Sequence, residues 1–233
     1  MNHRLTAYLM LLVVSIIWGV AGPVIKFTLG DFPPLIFLTY RFALSSIAAL
    51  IAFALSRPRL PRRNGESFNV LIYGFLTTTV SLGLLFLGYD KTTALTGTLL
   101  SAVAPVFVAI AGGLFLHERI TKLERVGLSV AFLGTLFTIM EPLLNGDGHT
   151  LTSSIEGNLL IIASLLVGVV LSVQSKVLLR DHVDPGALAH AAFIIGFITI
   201  LPITLWYYSF GEIFNVIASA SLSAHLGVWY MAL

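Results

Sequence analysis

Seven predominantly apolar stretches constrain this chain more than any other feature of its sequence. They are Leu5–Leu29, Pro33–Ser56, Phe68–Tyr89, Thr93–Leu116, Arg125–Leu144, Gly157–Leu179 and Ala187–Tyr208, and an eighth begins near His225 and reaches Leu233. A helix needs about 20 mostly apolar residues to cross the hydrocarbon core of a bilayer. Open strands would leave backbone groups unpaired in lipid, so helices are the available structure. The sequence therefore predicts an all-α fold, a polytopic membrane helix bundle with the lipid bilayer around it.

The composition agrees with a chain that is dissolved in lipid. Apolar residues make up 57% of it and charged residues 10%, and the mean hydropathy is +0.96. A soluble domain carries about 25% charged residues, so this chain lacks the polar surface that water requires. The first apolar stretch is longer than the roughly 7–15 apolar residues of a secretory signal. It is therefore predicted to be a retained first span.

The basic residues predict the orientation of the spans. If the spans alternate in direction, ten of the thirteen basic residues fall on one side: Arg4, Arg57, Arg59, Arg62, Arg63, Arg119, Lys122, Arg125, Lys176 and Arg180. The other side holds Lys26 and Lys91, and Arg41 lies inside the second stretch. Short cytoplasmic loops carry an excess of Lys and Arg. We therefore predict a multi-pass protein of the cell inner (plasma) membrane with a cytoplasmic amino terminus.

The chain contains a weak internal repeat. Residues 11–19, LLVVSIIWG, resemble residues 160–168, LIIASLLVG, and Pro34 has a counterpart in Pro185. Five spans separate the two starts, and an odd number places the copies in opposite topology. Inverted repeats are typical of secondary transporters, whose substrate site lies between the halves. We predict a first repeat over residues 1–144 and an incomplete second repeat over residues 157–233, in an inverted five-helix arrangement.

Several motifs resemble the EamA-type transporters of the drug/metabolite transporter superfamily. They are Trp18-Gly19, Lys26, Pro34 and Arg41-Phe42 in the first two stretches, and Ala94-Leu95, Ala104-Pro105-Val106-Phe107, Leu114–Thr121, Gly127 and Gly134 further along. The resemblance implies efflux or exchange of a small polar solute, such as an amino acid, by alternating access. That family usually has ten helices, whereas this sequence ends inside the eighth, which indicates a fragment. A non-transporting membrane subunit that acts only with a partner is the alternative.

Arg41 is the substrate-binding candidate that the sequence singles out most clearly. It lies eight residues beyond Pro33, which is about 12 Å of helix inside an apolar core about 30 Å thick. Placing Arg at a helix centre costs about 2.5–3.5 kcal/mol on the insertion scale. A water-filled cavity, an anionic substrate group or helix-end carbonyls must compensate. Arg41 therefore either contacts the substrate cavity or anchors its helix.

Four further residues complete the predicted substrate-binding set. Lys26 either extends to the interface or lines the cavity. Trp18 is too deep for an interfacial aromatic belt, so it faces the cavity or a neighbouring helix. Tyr40 and Gln174 are polar groups within apolar stretches, and each either lines the cavity or forms a bond between helices.

Gly19, Gly22 and Pro23 are the predicted hinge of the first span. Proline removes a helix hydrogen bond and glycine permits bending, which suits alternating access. Such residues also kink rigid helices, so a purely structural role stays open.

The sequence lacks the residues that several other classes of function require. The chain has no cysteine, and the His117-Glu118 pair is followed by Thr121 where a zinc-protease motif has its second histidine. We therefore predict no metal, no cofactor, no catalytic residue and no nucleic-acid partner. Every acidic residue lies in a loop or near a span end, so a proton relay built on carboxylates has no carrier. Small-residue spacing in the fourth stretch leaves a homodimer open.

Overall fold

The computed structural model describes residues 3–56, 64–115, 121–144, 154–180 and 183–232. Within these ranges every regular element is a helix and none is a strand, which confirms the all-α prediction. The helices are α1 (His3–Thr28), α2 (Pro34–Ser56), α3 (Asn64–Gly74), α4 (Leu82–Asp90), α5 (Ala94–Ser101), α6 (Ala104–Phe115), α7 (Lys122–Leu144), α8 (Ile155–Arg180), α9 (Pro185–Tyr207), α10 (Phe210–Ser219) and α11 (Leu222–Ala232). A π-helical segment, Phe75–Ser81, joins α3 to α4.

Six segments of the described chain are long and apolar enough to cross a membrane. They are Thr6–Thr28, Pro34–Leu55, Ser67–Asp90, Ala94–Gly113, Ile155–Arg180 and Pro185–Tyr207, with mean hydropathies of 1.9 to 2.2. The predicted fifth span coincides with α7, which is not among the six. Its stretch without charges, Val126–Met140, covers 15 residues, fewer than the roughly 20 of a full span. The count of seven complete spans is therefore not confirmed.

The fourth apolar stretch is two helices rather than one continuous helix. Helix α5 ends at Ser101, two residues form a turn, and α6 begins at Ala104. Pro105 lies in the first turn of α6, where its missing N–H costs nothing because the first amide groups of a helix have no intrahelical acceptor. Proline therefore starts a new helix here instead of kinking a continuous one.

Contacts between connections show that the helices alternate in direction. At one end of the bundle Lys91, which follows α4, forms an ion pair with Glu156 in the first turn of α8. At the same end the Lys26 ammonium donates to the last carbonyls of α4. Between α1 and α2, Asp31 accepts hydrogen bonds from Ser221, which precedes α11. A separate apolar cluster joins α3, α8 and α9 at the opposite end and contains Val70, Leu178, Val183 and Leu188.

Among the described helices, α2 and α9 form the most extensive pair. Near one end of the pair the hydroxyls of Thr39 and Thr204 lie 2.7 Å apart, and both side chains are buried. Near the other end the rings of Phe53 and His190 meet edge to face at 5.5 Å. The core beside this pair is rich in aromatic and aliphatic side chains and includes Phe32, Ile36, Phe37, Phe42, Phe86, Ile161 and Ile200.

Helices α4 and α8 approach each other closely at a pair of glycines. A Cβ atom on Gly88 would lie 2.9 Å from the carbonyl oxygen of Gly157 and 3.1 Å from the amide nitrogen of Ile161. A Cβ on Gly157 would lie 2.9 Å from the carbonyl oxygen of Gly88. Only glycine permits two helix backbones to come this near, as at small-residue interfaces of other membrane helices.

Candidate functional site

Arg41 carries a guanidinium group with unmet hydrogen-bonding capacity. Its Nε and Nη1 atoms are closed off from solvent and have no hydrogen-bond partner among the described residues. The guanidinium carbon lies 5.5 Å from the ring centroid of Phe42 and 5.8 Å from that of Phe86. Aromatic faces attract a cation but accept no ordinary hydrogen bond. These two nitrogens are therefore not anchored to helix-end carbonyls, which was one of the two roles predicted for Arg41.

Tyr40, the neighbouring residue on α2, belongs to a polar junction with α11. Its hydroxyl lies 3.3 Å from Nδ1 of His225 and accepts a hydrogen bond of 3.4 Å from Nε1 of Trp229. The ring of Phe32 packs against both Tyr40 and His225, with centroids 6.0 and 5.7 Å away. We call Phe32, Tyr40, His225 and Trp229 the α2–α11 junction. It contains the interhelical bond that was one of the two roles predicted for Tyr40.

Asp31, the residue before Phe32 of this junction, carries a carboxylate. Ser221 donates to it from its hydroxyl at 2.5 Å and from its backbone amide at 2.9 Å. These two hydrogen bonds, chiefly the one from the hydroxyl, lower the pKa of Asp31. Asp31 is therefore held ionised beside the amino terminus of α11, where a negative charge is favourable.

Lys26 fastens the end of α1 to the end of α4. Its Nζ donates to the carbonyl oxygens of Tyr89 and Asp90, both at 2.9 Å. The last carbonyls of a helix have no partner within the helix, and a cation there also complements the helix dipole. In this conformation Lys26 thus has a structural role at the helix end.

The predicted hinge lies where α1 packs tightly. A Cβ on Gly22 would collide with the Thr98 hydroxyl and lie 2.7 Å from the hydroxyl of Tyr89, whereas one on Gly19 would meet nothing within 4 Å. Helix α1 continues without interruption through Pro23. Gly22 is therefore a contact point between α1 and α5, and bending at these three residues stays a prediction.

The remaining predicted residues lie apart from one another. Trp18 is 78% exposed on the surface of α1. Gln174 donates from Nε2 to the carbonyl oxygen of Asn69 at 3.2 Å, which links α8 to α3 toward the opposite end of the bundle. Tyr40 and Arg41 are consecutive residues of α2, and the structure does not gather the five predicted residues into one site.

Two residues of the α2–α11 junction were missed by the sequence reasoning. His225 marked only the start of the eighth apolar stretch, and Trp229 lies within that stretch. The available signal was their spacing, because residues four apart lie on the same face of a helix. A histidine and a tryptophan at that spacing can both reach one hydroxyl on a neighbouring helix.

A comparison with protein-family models decides the family. The model described as the EamA-like transporter family matches residues 5–140, more than half of the chain. The chain belongs to this family. The match contains Trp18, Lys26, Tyr40 and Arg41, and it confirms the resemblance drawn from the sequence motifs.

Curated relatives of this EamA-like transporter carry transporter names. The chain is 28% identical over 216 residues to the uncharacterized transporter YyaM of Bacillus subtilis, covering 88% of this chain and 67% of the relative. It is 27% identical over 185 residues to an uncharacterized transporter of Archaeoglobus fulgidus, covering 79% and 62%. It is 30% identical over 139 residues to a probable amino-acid metabolite efflux pump of Escherichia coli, covering 58% and 43%. These alignments span between two fifths and two thirds of each relative's length.

Proposed function

We propose that this membrane transporter exports a small polar metabolite, an amino acid or a similar organic solute, across the cell inner (plasma) membrane by alternating access. Relatives in Escherichia coli and Salmonella typhimurium, each 30% identical over 139 and 146 residues, are named probable amino-acid metabolite efflux pumps. The basic loops support an amino terminus on the cytoplasmic side.

The α2–α9 contact supports an inverted repeat. Pro34 and Pro185, the first residues of these helices, are 151 positions apart in the chain. The same displacement carries Thr39 onto His190 and Phe53 onto Thr204. The operation that superimposes the two helices therefore converts the Thr39–Thr204 contact into the Phe53–His190 contact. This is expected for two helices related by a pseudo-two-fold axis.

Two other helix pairs agree with the same repeat. In the proposed arrangement α1 corresponds to α8, and the third apolar stretch, which ends in α4, corresponds to the eighth, which contains α11. Helix α1 packs against α11, and α8 packs against α4. These two contacts are therefore counterparts, and alternating access would loosen one of them while it tightens the other.

The surroundings of the Arg41 guanidinium support the proposed class of substrate. A buried guanidinium with two unpartnered nitrogens is costly unless an anionic group completes its hydrogen bonds. Carboxylates are the natural acceptor for this group because guanidinium N–H groups match their geometry. We therefore assign to Arg41 the carboxylate of an amino-acid-like substrate.

The test is flux through the purified full-length protein in liposomes, measured as counterflow of labelled amino acids and organic acids. Arg41→Gln should weaken transport of carboxylate-bearing solutes by about 10- to 100-fold, because a charged hydrogen bond is worth about 1.5–3 kcal/mol. Arg41→Lys should keep part of the activity. Arg125→Gln, at an exposed arginine in the first turn of α7, is the matched control and should transport normally.

Two results would contradict the proposal. Unchanged flux of every accepted solute by Arg41→Gln would remove Arg41 from the substrate path. Absence of counterflow for any amino acid or organic acid by the wild-type protein would exclude the proposed substrate class.

A further inference from the structure

The described helices offer little to a coupling mechanism based on carboxylates. The acidic residues of the described chain lie in connections or in the first or last turns of helices: Asp31, Glu66, Asp90, Glu124, Glu141, Glu156, Asp184 and Glu212. Transport driven by a proton gradient needs a group that binds a proton where two moving elements meet. Histidine is the side chain that ordinarily changes charge between about pH 5 and pH 8.

His225 occupies such a position, in the α2–α11 junction. The indole of Trp229 can only donate, so the Tyr40 oxygen accepts from it and the Tyr40 proton needs an acceptor of its own. Nδ1 of His225, 3.3 Å from that oxygen, serves when it carries no proton. The arrangement that satisfies all three groups therefore requires neutral His225 with its proton on Nε2.

Protonation of His225 would break this arrangement. A proton taken from solution onto Nδ1 turns the acceptor into a donor, and the Tyr40 hydroxyl then has two donors and no acceptor for its own proton. The half-buried position of Tyr40 makes the loss of that acceptor costly. Protonation thus favours a conformation in which α2 and α11 have moved relative to each other.

The charged and titratable groups around His225 each contact another group of the protein. Asp31 accepts from Ser221 and attracts a charged imidazole, while the positive amino terminus of α11 opposes it. Four other groups contact partners elsewhere. Lys26 on α1 binds the end of α4, and Arg41 on α2 lies over Phe42 and Phe86. Glu212 on α10 caps its own helix at Ser209, and Tyr230 on α11 donates to the carbonyl oxygen of Ile17. Asp31 is the balancing charge of this site.

We propose that His225 is the proton-binding group that couples transport to a proton gradient, acting through its hydrogen bond to Tyr40. The inference rests on the proposed export function for its physiological role. It does not depend on Arg41 or on the identity of the substrate. A proton bound at Nδ1 releases the α2–α11 junction, and its loss restores the junction.

Fluorescence tests the proton site without any transport measurement. Residues 1–233 contain three tryptophans, so Trp18→Phe with Trp206→Phe leaves Trp229 as the only indole emitter among them. A protonated imidazole quenches a neighbouring indole, so emission should fall as the pH is lowered from about 8 to about 5. Adding His225→Gln, whose amide oxygen can still accept from Tyr40, should flatten the curve. Trp18→Phe with Trp229→Phe leaves Trp206, which is 86% exposed on α9, as the control that should not respond.

Flux tests the coupling. In liposomes with an imposed pH gradient the wild type should accumulate substrate, and His225→Gln should lose accumulation by at least about 10-fold while keeping counterflow, which needs no gradient. The proton site would be overturned if Trp229 emission did not change with pH, or if the same pH response of that emission were present in His225→Gln. Accumulation by His225→Gln at the wild-type level would overturn the coupling. Absence of wild-type counterflow would refute the proposed export and the coupling role with it, while the emission curve reports on the proton site independently.

Discussion

The glycine pair between α4 and α8 allows a quantitative test of the fold. In Gly88→Ala the new methyl group would lie 2.9 Å from the Gly157 carbonyl oxygen and 2.6 Å from Cγ1 of Ile161. The side chain of Ile161 can adjust, but the backbone of α8 cannot rotate away. Relief therefore requires the two helices to separate by roughly half an ångström, and a gap of that size forfeits about a quarter of the dispersion energy of each affected contact.

Overpacking of this kind costs about 1–3 kcal/mol. The matched control is Gly83→Ala on the same helix, because a Cβ on Gly83 meets nothing within 4 Å and alanine gains up to about 1 kcal/mol in helix propensity. We expect Gly88→Ala to unfold at a temperature several degrees below Gly83→Ala, at about 2–4 °C per kcal/mol for a chain of this size. Thermal unfolding of both purified variants in the same detergent measures the difference. Equal melting temperatures would show that the helices are not in contact at Gly88.

Two further predictions concern the ends of the helices. Lys26→Met removes the cation from the last carbonyls of α4, so amide exchange in the final turn of α4 should quicken by about two- to fivefold, from a loss of about 0.3–1 kcal/mol. Lys122→Met, at an exposed lysine at the start of α7, is the control, and unchanged exchange in Lys26→Met would mean that the Lys26 bonds are dispensable. Hydrogen bonds from Ser221 lower the pKa of Asp31 from 3.8, so the stabilisation by its carboxylate is complete above pH 3.8 and is lost as the pH falls through the lowered value. The difference in unfolding midpoint between wild type and Asp31→Asn should therefore be constant at neutral pH and shrink in strong acid, and a difference that grows on acidification would reverse the sign of this reasoning.

The sequence predicted the course of the longer helices well. The stretches Leu5–Leu29 and Pro33–Ser56 correspond to α1 and α2 within two residues at each end, because lipid requires an apolar run and a helix wherever the backbone crosses it. The turn between α5 and α6 was not predicted, since an apolar run looks the same whether one helix or two occupy it. The π-helical segment Phe75–Ser81 also has no signature in hydropathy, because one extra residue per turn leaves the run of apolar residues unchanged.

The candidate site was less predictable than the fold. The apolar surroundings of Arg41 and Tyr40 were enough to select them, because a polar group in lipid needs a partner. The identity of the partner depends on which helices are neighbours, and that information is not local. Hence the bonds of Lys26 to α4 and of Tyr40 to α11 became visible only in three dimensions.

The contact between α2 and α9 has a mechanical consequence under the proposed repeat. The two-fold axis converts this pair of helices into itself. The α2–α9 contact can therefore stay the same in both states while the other helices move around it. Ser46 is carried onto Phe197 by the same displacement of 151 residues, and both positions lie midway between the Thr39–Thr204 and Phe53–His190 contacts along their helices. A covalent tether there would leave the two states equally accessible. A tether between α1 and α11 would instead hold the transporter in one of them. Residues 1–233 contain no cysteine, so none of them competes with a cysteine pair introduced for either tether.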